Sequence, residues 1–417
     1  MVKATLSPAV PKPDHVPDAL VYDFDYYFDP ALLENAHDRI LQIAAEAPPI
    51  FWSPRQGGSW FMRSHDATYK ASRDTDTFSN GPFPFEMIAH MNAGKPDNQK
   101  ALIPLPITID PPHHATYRGP LQKPFGPKAM LALKDNIRAL AIELIEGVKA
   151  DGKCEFMTAI AEPLPVTVFL QLFGLPLERQ RVYRDLVAEH MHSPLAHDPQ
   201  EIQRRLRRVA EVMRETILER QAEPRDDILS MLWQSEFDGR PANLHDIENY
   251  AVMLFLAGLD TVMNGMGLGV RHLAMHPELQ EQLRADVSLI PEAAEELLRR
   301  YTFTVPPRFV ARDSEFEGVT MKKGERAMIF LPAADLDPSE FKSPEDYNLA
   351  RENKVHIAFG TGPHRCLGSH LARIELQVLY EEMVTRLPTF RLDPDKPLTF
   401  HGGNVIGPNQ VHLVWDV

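Results

Sequence analysis

The stretch Phe359-Gly360-Thr361-Gly362-Pro363-His364-Arg365-Cys366-Leu367-Gly368 is followed at once by apolar residues at helical spacing as far as Leu387, so Cys366 stands at a loop-to-helix junction. Backbone N–H groups at a helix start favour an anion and so stabilise a thiolate there. Gly362 and Gly368, having no side chains, let backbone and a flat ligand approach the sulfur. A thiolate either attacks a substrate or binds a metal. A nucleophile wants a base and a group to orient it, whereas His364 sits two residues away in a tight loop with no third member. Zinc wants three more ligands, and no Cys-rich or His-Glu-x-x-His spacing supplies them. A preassembled metal cofactor that needs a single protein ligand fits better. The competing reading is an inert cysteine at a glycine-rich cap, and for Cys154, in Gly152-Lys153-Cys154-Glu155, it is the only one.

Outward from that loop the pattern is mostly helical. Ala129–Val148, Pro199–Arg220, Leu244–Met275, Pro277–Val287, Pro291–Tyr301 and Leu367–Leu387 have apolar residues three and four apart. Strand signals gather at Ile50–Arg63, around the turn Gln56-Gly57-Gly58, and at Arg308–Leu331, with turns at Glu317-Gly318 and Lys323-Gly324. The fold class is therefore mainly α with a small β portion. The 37 prolines, well above the usual share of about 5%, divide the 417 residues into short helices and extended loops. No repeat or low-complexity linker separates two units. With 44 Lys plus Arg against 58 Asp plus Glu the net charge is −14, which argues against nucleic acid or an anionic membrane as partner. The first twenty residues hold no continuous apolar segment and the two cysteines cannot form a disulfide framework, so a cytoplasmic location is expected.

The motif Phe359-x-x-Gly362-x-x-x-Cys366-x-Gly368 resembles the haem-binding loop of the cytochrome P-450 superfamily. Three more segments follow the family's order: Ala257-Gly258-Leu259-Asp260-Thr261 is similar to its oxygen-activating segment, Glu296-x-x-Arg299 to its Glu–Arg pair, and Asp110-Pro111-Pro112-x-His114-x-x-x-Arg118 to a propionate-binding segment of bacterial members. The resemblance implies one domain over residues 1–417, with haem b between the long central helix and the helix after the cysteine loop. Cys366 would be the axial ligand of the iron. Ala257 and Gly258 would leave room for O2, Thr261 would hold it, and Asp260 would relay protons from solvent. The competing reading of Thr261 is a hydroxyl bonded back to the preceding turn. His114, Arg118, Arg308 and His364 would bind the propionates, as the planar fork of arginine suits a carboxylate. Glu296 and Arg299 would be structural, tying their helix to Leu349–His356.

Within the superfamily the likeness is to bacterial camphor hydroxylases, in Pro82-Phe83-Pro84-Phe85, Ala161-Glu162-Pro163-Leu164-Pro165, Gly258–Asn264 and the ending Val414-Trp415-Asp416. Those enzymes position a ketone with a tyrosine before the Asp-Pro-Pro segment. Here Leu102 takes that place, and no tyrosine lies between Tyr69 and Tyr117. Glu86–Gln99 reads as a lengthened loop bearing His90 and Asn92. Leu102, Met253, Leu256, Phe303, Val305 and Val405 are the expected pocket wall, suited to a terpenoid-like compound, with a norisoprenoid ketone such as an ionone favoured over camphor. The family's arginine latch before a proline is replaced by Met191-His192-Ser193-Pro194. No Gly-x-Gly-x-x-Gly follows a strand, so electrons come from outside. The resemblance implies a [2Fe–2S] ferredoxin and its NADH-dependent flavoprotein reductase, docking near Arg118, Lys354, Arg365 and Arg373. Two rival readings are a peroxide-driven peroxygenase, which typically lacks the acid–alcohol pair, and a non-catalytic haem-binding sensor, which has no need of Thr261.

Overall fold

A computed structural model describes residues 5–191 and 199–417. The helices that build the site are α1 (Phe85–Asn92), α2 (His114–Gln122), α3 (Pro163–Phe173), α4 (Gln180–Met191), α5 (Leu244–Leu259), α6 (Thr261–Met275), α7 (Ile290–Arg300) and α8 (Ser369–Arg386). Glu86–Gln99, expected as a loop, is helical through α1, and the Asn92 side chain closes the segment after that helix by bonding both the amide and the carbonyl of Ala101. The apolar run from Leu244 to Met275 folds as two nearly continuous helices joined at Asp260. It is long and apolar enough to cross a membrane, but 67% of its most apolar window is buried against the rest of the chain, as a core helix would be. Asn243 and Asp246 start it with a reciprocal capping box. Gly265, Gly267 and Gly269 let Phe303, Met157 and Tyr380 approach its backbone, and a Cβ on Gly269 would overlap the Tyr380 hydroxyl.

The main sheet lies mostly where the residue pattern placed it, with Phe78–Ser79 as an addition. The strands β1 (Ile50–Ser53), β2 (Ser59–Met62), β3 (Phe78–Ser79), β4 (Pro307–Val310) and β5 (Arg326–Ile329) make a five-stranded sheet in the order β1-β2-β5-β4-β3. Phe51 and Met328 both pair with Phe61, antiparallel and parallel respectively. Gly318 and Gly324, at φ +76° and +89°, make the turns read at Glu317-Gly318 and Lys323-Gly324. A second sheet of Lys153–Glu155, Arg391–Leu392 and His412–Val414 was not expected, because strands of two or three residues offer no alternation to count. It places Cys154 opposite Leu413, where burial pushes the thiol up to about 12, in keeping with an inert cysteine.

Candidate active site

In the Phe359–Gly368 loop the Cys366 amide donates to the Phe359 carbonyl at 2.8 Å, and α8 begins at Ser369, two residues later than its apolar pattern suggests. Gly362 has φ +72°, and a Cβ there would lie 2.7 Å from the Ser72 carbonyl. Its missing side chain therefore serves the turn and the neighbouring Ser72-Arg73 segment rather than a ligand. Gly368 differs: a Cβ there would meet only the Cys366 sulfur, at 4.0 Å, so the sulfur's flank is open. Cys366 is accessible although most of its neighbours in α8 are buried, as expected of a side chain on the wall of an internal space. Burial pushes its thiol up, opposed by the Gly368 amide and by Arg118, Arg365 and Arg373.

Four basic groups converge beside that wall. The His114 and His364 rings are 4.5 Å apart, and among the described residues His114 Nε2 and His364 Nδ1 are buried without a hydrogen-bond partner. Arg308 is 6% exposed, and its guanidinium donates to the neighbouring Pro307 carbonyl at 2.8 Å. Burial brings its pKa down to about 10, partly offset by Asp110. Arg118 donates to the Arg365 carbonyl at 2.5 Å, tying α2 to the cysteine loop. Burial, with His364 and Arg118 next in effect, lowers His114 to about 4. Among the described residues the carboxylate that acts on Arg308 is Asp110, which receives His364 Nε2 at 2.8 Å, Ser79 Oγ at 2.6 Å and the Asn80 amide. Burial raises Asp110, but those bonds hold it below the usual carboxylate range. Buried cations short of anionic partners cost free energy, and a cofactor bearing two carboxylates would satisfy them. Among the described residues no three His, Cys, Asp or Glu are grouped to hold an ion, so a metal at Cys366 must bring its other ligands with it. The residues thus fit an iron macrocycle with acidic arms.

The α5–α6 junction packs through α6 against α8, the helix that follows the cysteine loop. Met253, Ala257 and Thr261, four residues apart, are partly accessible in a stretch otherwise mostly buried, so one stripe of the helix is left uncovered. Thr261 Oγ1 donates to the Ala257 carbonyl at 3.0 Å, the bond back to the preceding turn. The model for Cytochrome P450 matches residues 183–410. The chain is 33% identical over 416 residues to a Probable cytochrome P450 127A1 of Sinorhizobium fredii, covering 97% of each chain. The chain belongs to the cytochrome P450 family. A Steroid C26-monooxygenase of Mycolicibacterium smegmatis is 31% identical over 342 residues, covering 79% of this chain and 83% of that one. The solved structure of CYP101J2 overlays with a TM-score of 0.84 at 32% identity, covering 98% of this chain and 100% of that one. That of CYP101C1 gives 0.84 at 31%, covering 97% and 100%. This P450 is accordingly a haem b monooxygenase with a mainly helical P450 fold.

The geometry corrects several expectations for this P450. A Cβ on Gly258 would lie 2.4 Å from the Phe169 ring of α3, so this glycine permits close helix packing. Val305 is fully buried, its amide bonded to the Asn404 carbonyl, and belongs to the core instead of the pocket wall. Leu102, Leu256 and Val405 keep 3%, 7% and 5% exposure, while Met253 and Phe303 show more surface. The Glu296–Arg299 pair is buried and bidentate, but its partners are the carbonyls of Asp335, Pro344 and Asp346, the Asn348 amide and the Arg351 side chain, earlier than Leu349–His356 except for Arg351. Arg373 and Lys354, expected at a docking face, are paired with Glu295 and Glu292. His192 and Ser193 lie outside the described residues.

Sequence reading missed the groove behind Asp260. Asp260 is 3% exposed and receives the Asn264 side chain at 3.3 Å, and with Arg184, Glu162, Met263, His401 and Asn409 it lines a groove of about 260 Å³. Arg184 pairs with Glu162. Burial lowers Arg184, and Asp260 acts against that. Arg184 sits inside an ordinary amphipathic helix and Glu162 before a proline, so neither offered a local signal.

Proposed function

We propose that this P450 is a cytoplasmic, ferredoxin-dependent hydroxylase of small apolar terpenoid-like compounds, favouring a norisoprenoid ketone such as β-ionone over camphor. The observation that carries the substrate reading is Leu102. Its amide and carbonyl are both bonded to the Gln203 side chain, at 2.9 and 2.8 Å, so neither its backbone nor its apolar side chain offers a ketone a hydrogen bond. Losing the one directional bond to a small rigid ketone costs about 0.5–1.5 kcal/mol and loosens its orientation. Met253 and Phe303 then hold substrate by shape and apolar contact.

Haem supplies the iron centre at which O2 is activated. In the proposed mechanism Cys366 ligates that iron, Arg118, Arg308, His114 and His364 hold the propionates, and Asp110 fixes the His364 ring. Asp260 stands between the groove and Thr261, so a proton taken from solvent by its carboxylate is one residue from the Thr261 hydroxyl. That hydroxyl, bonded to Ala257 at rest, can turn to a better acceptor. The acid–alcohol pair favours O2 chemistry over a peroxide-driven enzyme, and over a sensor, which has no use for a proton path.

Arg365 is exposed, with no ion pair among the described residues, and is the proposed docking cation for an acidic ferredoxin. The test of the substrate reading is an optical titration of ferric protein with camphor and β-ionone side by side. A complete shift to the high-spin form with β-ionone and little with camphor is expected. Tight camphor binding would overturn the substrate reading and leave the enzyme class standing.

A further inference from the structure

Next to the cysteine loop, four residues form a closed circuit with no part in the proposed mechanism. The Arg373 guanidinium stacks 4.4 Å from the centroid of the Phe359 ring. Its Nε and Nη2 donate to the two oxygens of Glu295 at 2.7 and 2.9 Å. Glu295 also bonds His356 Nε2 at 3.1 Å, and His356 Nδ1 accepts the Ala358 amide at 3.2 Å, so His356 Nε2 is the protonated nitrogen and donates. The circuit returns to Phe359, whose carbonyl holds the Cys366 amide. His356 is 3% exposed at its side chain, while Arg373 and Glu295 are 24% and 29% exposed, so salt screens this group less than a surface pair.

We infer that Arg373 is a positioning residue for the iron site: it fixes a positive charge against the ring beside Cys366, and Glu295, braced by His356, sets how much of that charge the sulfur feels. The inference rests on the reading of Cys366 as iron ligand. The guanidinium is packed on the ring of Phe359, the residue whose carbonyl holds the Cys366 amide, and the Glu295 carboxylate reaches that ring only through Arg373 and His356. A positive charge beside a sulfur–iron centre favours the form with one more electron, and a carboxylate opposes it. The two halves of this ion pair therefore act on the reduction potential with opposite sign. Removing either would change donation from the thiolate without touching substrate.

The test is the ferric–ferrous midpoint potential of purified holoprotein, measured with dyes and no redox partner, for R373K, R373Q, E295Q and the R373Q/E295Q double variant. R373Q should move the potential negative and E295Q positive, with R373K and the double variant close to the parent. Shifts of the same sign, or none, would overturn the inference; a purely structural role gives no sign reversal, and a role in partner docking gives no shift without a partner. The ferrous carbonyl spectrum is recorded for each protein. If the parent lacks the thiolate-type band, the reading of Cys366 itself has failed. Should R373Q lose that band by misfolding, E295Q decides alone, because the guanidinium stays on Phe359: a positive shift supports the inference and an unchanged potential overturns it.

Discussion

Arg308 is a buried cation whose guanidinium, among the described residues, donates to its neighbour's carbonyl, and the nearby carboxylate, Asp110, is engaged by His364. That arrangement is unfavourable until an acidic group arrives, so Arg308 should be worth more to haem retention than an exposed arginine. Removing one partner of a buried pair costs about 2 kcal/mol or more, about 30-fold in affinity. R308Q should accordingly lose haem about 30-fold faster to an acceptor globin, and an unchanged rate would remove Arg308 from the propionate set. Thr261 and Asp260 act at a different step. T261A should go on consuming NADH and O2 while product per NADH falls, and D260N should slow turnover about 10²-fold with substrate affinity unchanged. Product yield and O2 uptake measured together check both. Asp260 and Thr261 were legible because they sit in a compact motif, and Arg308 only through the family resemblance, whereas Asp110 was quoted only as the start of a motif. Its bond to His364 joins residues 254 apart, which no local pattern can display.

At the level of elements, the α5–α6 junction combines a break at Asp260 with close packing at Gly258. An alanine at 258 must displace Phe169, and overpacking of this kind costs about 1–3 kcal/mol. G258A should lower the melting temperature, and adding F169L should restore both stability and product yield. If the double variant is stable but remains inactive, Gly258 is needed for the ligand after all. The long helices were readable because an amphipathic period over ten or more residues survives errors at the ends; the start of α8 differed by two residues. The break at Asp260 was not read: Leu244–Met275 has apolar residues at helical spacing throughout, and the polar pair Asp260-Thr261 does not interrupt that period. The small sheet and the Arg184–Glu162 pair were not readable, because both depend on contacts between distant short segments. Gly362 shows the converse: the position was correctly singled out, but the missing side chain serves backbone at Ser72 instead of a ligand.

Over the whole molecule, histidines buried in neutral form make stability fall in acid. Burial, with Arg300 next in effect, brings His37 down to about 3, and burial with His276 brings His272 down to about 2. Unfolded, each titrates near 6.5, so below that pH the unfolded chain binds protons that the folded one refuses. Stability from these groups is complete above about pH 6.5 and falls as pH drops toward 3, by up to about 1.4 kcal/mol per pH unit for each. H37F should flatten the fall in melting temperature between pH 6.5 and 4, and an unchanged slope would contradict that assignment. The claim on which the rest depends is that Cys366 holds haem iron. The most direct measurement is the ferrous carbonyl spectrum of the purified protein beside that of C366H. The parent is predicted to show the red-shifted Soret band of thiolate ligation and C366H the band of an imidazole-ligated haem; a parent spectrum without the thiolate band, or one that C366H leaves unchanged, would contradict the account.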